Sequence, residues 1–303
     1  PPMLRGWSQK EAGRYPEAVR QYGLALQKGG DPDKICPLMA AAYLTEGDAA
    51  SAAAMLAKYH EKSPHSIPIL LSYCETAVRL KDDKLARSLL EQVLQAEPYL
   101  YLPNMSLAQI LWASGERDAA AQCLLRVARV FPADIDSRGL LGQYYMEKSE
   151  PESAIPPLEQ AVALAGAGHP KRERLTAMLD SAYLLDGSLQ ASQGHYAQAV
   201  AFSEKSIALN PGGFRGFALK ANASMRMKDY KRAKEALATM AALQPANPSV
   251  RMSLGDMEYQ DGDREAARQD WQRALQLAPA DAAEMKEAIA RRLAGHFPSE
   301  ALP

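Results

Sequence analysis

The chain has 303 residues, a formal net charge of −1 and a pI near 6.7, so bulk electrostatics give no reason to expect nucleic acid or an anionic membrane as partner. There is no apolar run of transmembrane length, and no charged start leading through an apolar stretch to a small-residue cleavage site, which argues against direct membrane insertion. Its three cysteines, Cys36, Cys74 and Cys123, are odd in number and lack a two-residue spacing, which argues against a disulfide framework and a metal knuckle.

From the amino end, the expected elements are pairs of helices returning at a fixed interval. Ala18, Ala52, Ala86, Ala120 and Ala154 stand 34 residues apart, Ala199 follows after 45, and Ala233 and Ala267 resume the step of 34. Twelve residues before each alanine lies a small residue: Gly6, Ala40, Cys74, Ala108, Gly142, Gly187, Ala221 and Gly255. Helices cross closely only where no side chain separates them, so these are expected crossing points. Pro64, Pro98, Pro132, Pro211, Pro245 and Pro279 fall twelve residues after an alanine. A helix must stop there, because proline lacks the amide donor and restricts its predecessor.

These registers divide the chain into units near 1–32, 33–66, 67–100, 101–134, 135–168, 180–213, 214–247 and 248–281, the first incomplete. Within each, apolar residues recur at helical spacing, as in Leu85, Leu89, Leu90, Val93 and Leu94, and polar turns such as Gly47-Asp48, Lys81-Asp82 and Gly262-Asp263 separate the halves. Eleven extra residues lie between the fifth and sixth units, around Ala167 to Leu179. Eleven residues nearly complete three helical turns, so they are expected to extend the next helix backward by about 16 Å without rotating its apolar face. Pro170 fits its first turn, Leu175, Met178, Leu179, Ala182 and Tyr183 continue a buried stripe, and Lys171 to Arg174 project at a rim. The expected organisation is a subarray over 1–168, an inserted extension over 169–179, a second subarray over 180–281, and a capping helix and tail over 282–303. Asp281 is expected to cap that last helix, which ends near Leu293, and Gly295 to Pro303 read as a stop and a short tail.

The pattern resembles the tetratricopeptide repeat over nearly the whole chain. The clearest unit is Val250 to Pro279, with Leu254-Gly255 in the first helix, Gly262-Asp263 at the turn, Ala267 and Trp271 in the second helix, and Ala274 before Pro279. The resemblance implies an all-α, right-handed solenoid of about eight helix-turn-helix units with a carboxyl-terminal capping helix. It also implies that the first helices line a groove. Places two, five, nine and twelve of each unit then supply candidate partner-binding residues: Leu71, Glu75, Val78, Met105, Gln109, Trp112, Gln143, Met146, Asn222, Met225, Arg226, Met252 and Tyr259. Leu102, Leu184, Ser188, Arg215 and Asp256 occupy equivalent places. Val78, Trp112 and Tyr259 have a competing role, packing against neighbouring helices. The chaperone-binding branch of the family holds a terminal carboxylate with lysine and asparagine four residues apart, and this chain departs from that, with Ala218 before Asn222.

No catalytic constellation is legible. The five histidines are scattered, Asp261-Gly262-Asp263 lacks the remaining ligands of a calcium loop, and the glycines at 166 and 168 follow a helix where a phosphate loop would precede one. The expectation is a non-enzymatic scaffold or adaptor without a cofactor, binding a protein or peptide, in the alanine-rich style of bacterial proteins. By analogy it serves envelope, secretion or polysaccharide-export assembly. The alternative is the substrate-recognition region of a larger enzyme such as a glycosyltransferase. The opening Pro1-Pro2 is compatible with a removed leader or a chain cut from a larger polypeptide, and a cytoplasmic or periplasmic setting fits equally.

Overall fold

The computed structural model describes residues 1–296; the end of the expected tail, 297–303, lies outside the described residues. Among the described residues there are seventeen α-helices and no strand. The chain divides into two compact units, Pro1–Leu141 and Gly142–Pro303, and the helix Ile135–Glu147 runs across the division.

The first unit holds α1 (Pro2–Glu11), α2 (Tyr15–Gln27), α3 (Pro32–Thr45), α4 (Ala49–Lys62), α5 (Ile67–Arg79), α6 (Asp83–Ala96), α7 (Tyr101–Ala113), α8 (Arg117–Val130) and the start of α9 (Ile135–Glu147). The second holds the rest of α9, then α10 (Pro151–Leu164), α11 (Arg172–Ser192), α12 (Tyr196–Leu209), α13 (Phe214–Arg226), α14 (Tyr230–Leu243), α15 (Pro248–Gln260), α16 (Arg264–Leu277) and α17 (Ala283–Leu293). Short turns make the helices of each pair antiparallel neighbours, as in αα-hairpins.

Each turn within a pair has three residues, and the middle one is left-handed: Gly13, Gly47, Lys81, Gly115, Ser149, Gly194, Lys228 and Gly262. That conformation lets the chain reverse in the shortest distance. It also orients the following aspartate, and Asp48, Asp82, Asp229 and Asp263 cap their helices by accepting from the amides of Ser51, Leu85, Arg232 and Ala266. Each of the six register prolines stands two residues past the end of a second helix.

All eight register alanines are fully buried, and all eight small residues are buried. Their packing partners form a further register sixteen residues on. A Cβ added to Gly6 would stand 2.6 Å from the Tyr22 ring, one on Gly142 2.4 Å from Leu158, and one on Gly255 2.7 Å from the Trp271 ring. Leu56, Leu90, Leu124 and Leu237 occupy the same place and are buried. The core of each unit is therefore a stack of small-on-large contacts between paired helices. In the sixth pair Ser203 takes the large place, and Gly187 meets Leu219 of α13 instead.

The long step of the period resolves differently from the expected eleven-residue helix extension. The helix α11 has 21 residues against 13 in α9, α13 and α15, and the loop before it, residues 165–171, has seven against the usual four. The helix thus gains eight residues, about 12 Å of axis, and the loop three. Pro170 lies in that loop, outside the helix, whose N-cap is Lys171. Leu175, Leu179, Ala182 and Tyr183 are buried as the stripe requires, whereas Met178 is half-buried. Arg172 does not project. It donates to the carbonyls of Val162, at 2.9 Å, and Ala165, satisfying acceptors that the end of α10 leaves open. At the last helix the N-cap is Ala282, without a side-chain cap, so Asp281 contributes its backbone carbonyl, not its carboxylate.

Candidate partner-binding faces

The first helix of each pair buries one stripe and leaves another open. In α5 the buried residues are Ile69, Leu70, Cys74, Thr76 and Ala77, and in α7 they are Pro103, Asn104, Leu107, Ala108 and Leu111. Helical periodicity turns the intervening places outward. Leu71 is 37% exposed, Val78 48% and Leu102 71%, and Glu75 and Gln109 are exposed beside them. Val78 therefore keeps about half of its surface open to solvent. Met105 and Trp112 are half-buried, and the Arg117 guanidinium stacks 4.4 Å from the centre of the Trp112 ring. Buried Asn104 fixes the start of α7. Its amide donates to the carbonyls of Pro98 and Leu100, and its oxygen accepts from Arg126 at 2.8 Å. The first unit thus brings Leu71, Glu75, Val78, Met105, Gln109 and Trp112 onto the open faces of two consecutive first helices, apolar except for one carboxylate and one amide.

The second unit disperses the remaining candidates. Gln143 and Met146 of α9 line a cleft with Glu147, Arg174, Ala177 and Met178, so the additional length of α11 builds its far wall. The Gln143 amide accepts from Arg174 and donates to Glu147, both at 2.9 Å, which fixes the rim over the two methionines. Asn222 and Arg226 of α13 line a separate pocket with Ala191, Ser192 and Tyr196. Met225 packs on the cluster formed by α13, α14 and α15.

The last pair is largely taken up by α17. Met252 and Tyr259 are half-buried against a cluster containing Trp271 and Ile289, which Met285 and Leu293 of α17 also join. The Asp256 carboxylate accepts from Arg292 at 2.7 and 2.9 Å and from the Trp271 indole at 2.9 Å. With the two charged side chains 11% and 13% exposed, Asp256 is a latch for the capping helix instead of an open groove residue. Leu184 is likewise buried.

Sequence reasoning missed Arg174 and Tyr196 as parts of these clefts and placed Met178 in the buried stripe. The available signal was the helix extension itself, which carries residues past the end of the repeated pattern. Burial pushes the Cys36 thiol up to about 11 and Cys74 up to about 12, which disfavours their thiolate forms. Among the described residues no cluster of histidine, cysteine, aspartate and glutamate is suited to a metal ion, and no helix is long and apolar enough to cross a membrane.

Family comparison agrees with the helical period. Models described as tetratricopeptide repeat match residues 43–98, 105–170, 180–212 and 219–282. No curated protein matches the chain significantly. Among solved structures, that of Naa15/Naa10 bound to HypK-THB is similar over 96% of this chain and 45% of the matched chain, with 16% identity and a TM-score of 0.57. A MamA AMB-1 structure is similar over 57% of this chain and 94% of its own, with 20% identity and a TM-score of 0.47. A tetratricopeptide repeat protein from Parabacteroides merdae aligns over 86% of this chain and 100% of its own, with 13% identity and a TM-score of 0.44. At these identities the likeness is one of fold.

Proposed function

The chain belongs to the tetratricopeptide repeat family, and from that membership we propose that it is a non-enzymatic scaffold holding a segment of another protein against the open faces of its first helices. Domains of this family generally mediate protein–protein interaction. The observation that carries the reading is the open apolar surface on α5 and α7, where Leu71, Val78 and Leu102 stay exposed beside Glu75 and Gln109. Exposed apolar side chains rimmed by polar ones mark interaction surfaces more often than isolated exposure does. Methionines such as Met105 and Met146 adapt to differently shaped apolar partners, which suits a peptide ligand. No catalytic family matches the chain, and its thiols are buried.

Introducing a charge on the open face tests this. Peptides selected on the wild-type protein from a displayed random library are expected to lose binding to Met105→Glu and to Met146→Glu, each tested separately, with helicity and melting cooperativity retained. Undiminished binding to both variants overturns the reading. The setting we favour is assembly of a larger complex, including bacterial envelope, secretion or polysaccharide-export assemblies. A catalytic domain in the complete reading frame would instead support a recognition region of an enzyme such as a glycosyltransferase.

A further inference from the structure

The residue just before the small register place is leucine in three pairs, Leu107, Leu141 and Leu254, and all three are buried. In α11 the same place holds Asp186, which is only 2% exposed. A carboxylate withdrawn from water is costly unless it is paired. The following pair also carries a charge there, Lys220, and the Glu204 carboxylate of α12 neutralises it at 3.0 Å. Asp186 has no such counter-charge. Its Oδ1 accepts from the side-chain amide of Gln190 at 3.1 Å, and the Gln190 oxygen is itself held 3.0 Å from Nδ1 of His195. Its Oδ2 has no hydrogen bond among the described residues and is not sealed from solvent.

Asp186 lines a pocket of about 350 Å³ with Gln190 of α11, Glu152 of α10, and Gln198, Phe202 and Lys205 of α12. Buried Asp186 forms the floor, and exposed Glu152 and Gln198 stand at the rim with side chains that make no hydrogen bond among the described residues. The one cation present is already spent. Lys205 donates to Glu159 at 3.1 Å and lies 5.0 Å from the centre of the Tyr183 ring, whose hydroxyl donates to the same carboxylate oxygen at 2.5 Å. Two carboxylates are therefore left facing a recess with an aromatic wall. A carboxylate pairs with an ammonium or guanidinium group through charge-assisted hydrogen bonds, and an aromatic face accommodates both the cation and its alkyl stem. A metal ion fits less well, since among the described residues no group of three or more acidic, histidine or cysteine ligands converges. The volume lies near the lower end of ligand pockets, about 300–1,000 Å³, which suits a slender chain reaching down to Asp186.

We propose that Asp186, Glu152 and Phe202 form a site for an organic cation, the alkylammonium or alkylguanidinium group of a basic side chain or of a free amine. The site goes beyond the scaffold reading. It is built between the second helices of two consecutive pairs and shares no residue with the candidate faces of the first helices, so either can fail without the other.

The experiment is an NMR titration of the whole protein, read at the side-chain amides of Gln190 and Gln198. The probes are Nα-acetyl-lysine methylamide, Nα-acetyl-arginine methylamide, n-butylammonium chloride and calcium chloride, with sodium chloride at matched ionic strength as reference. Saturable shifts are expected with the organic cations and not with sodium. D186N keeps the shape and removes the charge, and D186L installs the leucine that other pairs carry at this place, so the test survives if one of the two does not fold. Each variant shown to be folded by circular dichroism is expected to weaken binding about tenfold or more, and E152Q to weaken it less. Tighter binding of the two amides than of butylammonium names a basic side chain as the source, and the reverse order a free amine. Shifts reproduced by sodium, saturation by calcium alone, saturation unchanged in the folded Asp186 variants, or no saturable shift with any organic cation each overturn the proposal.

Discussion

Backbone conformation at single residues follows the repeat closely enough to expose where it is strained. Five of the eight left-handed turn positions are glycine, and the other three are Lys81, Ser149 and Lys228, with φ near 58° to 60°. A side chain in that region costs about 1 kcal/mol or more, offset in part by the lower entropy of a non-glycine residue in the unfolded chain. Lys228→Gly is therefore expected to stabilise the protein by about 0.5 kcal/mol; urea melts showing no gain would remove strain as the explanation. Glu258 is strained in charge. Burial raises its pKa, and the nearby Asp270 carboxylate adds to this by charge and by a shared hydrogen bond, giving a value of about 7. One Glu258 oxygen is buried without a partner, which a neutral carboxyl tolerates better than a charged one. Between about pH 4.5 and pH 7 the unfolded chain has released this proton while the folded one keeps it, so the contribution of Glu258 to stability falls as pH rises. Relative to wild type, Glu258→Gln should recover on the order of 1–2 kcal/mol at pH 8 compared with pH 5, less than the full shift implies because solvent screens a side chain that is only partly buried. Parallel losses in the two proteins between those pH values would exonerate Glu258.

At the scale of helices, the informative unit is the pair of places sixteen residues apart. Alanine opposite leucine recurs at Ala40 and Leu56, Ala108 and Leu124, and Ala221 and Leu237, while the bulkier Trp271 stands opposite glycine at 255. Volume is exchanged between the two helices, because the gap between their axes varies little. Gly255→Ala is expected to cost about 2 kcal/mol by forcing the Trp271 ring aside, and Trp271→Leu to cost a similar amount through a cavity. The double variant restores the alanine–leucine combination, so a thermodynamic cycle should show favourable coupling of about 1 kcal/mol or more. Additive losses would mean that the two places do not share a volume constraint. The small register was legible in the sequence because alanine and glycine recur at its interval. Its partner was harder to read, because tyrosine, leucine, serine and tryptophan share no residue type, only a place against the small one.

Within each compact unit the main contacts run between helices adjacent or next but one along the chain, as in α3 with α5 and α11 with α13. Stability in such an array is local, a sum over neighbours without a central core. Placing a charge on the buried Ile289 of α17 should therefore loosen the last pair, freeing Arg292 from Asp256. Ile289→Asp is expected to speed amide exchange in α15, α16 and α17 by at least about tenfold while leaving α1 to α6 unchanged. Uniform acceleration throughout would show a single cooperative core. The sequence by itself determined the helices, their turns and their stops, because these depend on local backbone constraints: a left-handed residue, a capping aspartate and a proline without an amide. It also determined the period and hence the family. Tertiary structure alone decided which outward-facing side chains remain available. Asp256 is closed by Arg292 from 36 residues away, Arg172 is drawn onto the end of α10, and Arg226 is held by Tyr196. Those outcomes turn on the distance and orientation of side chains on different helices, which a repeat interval does not encode.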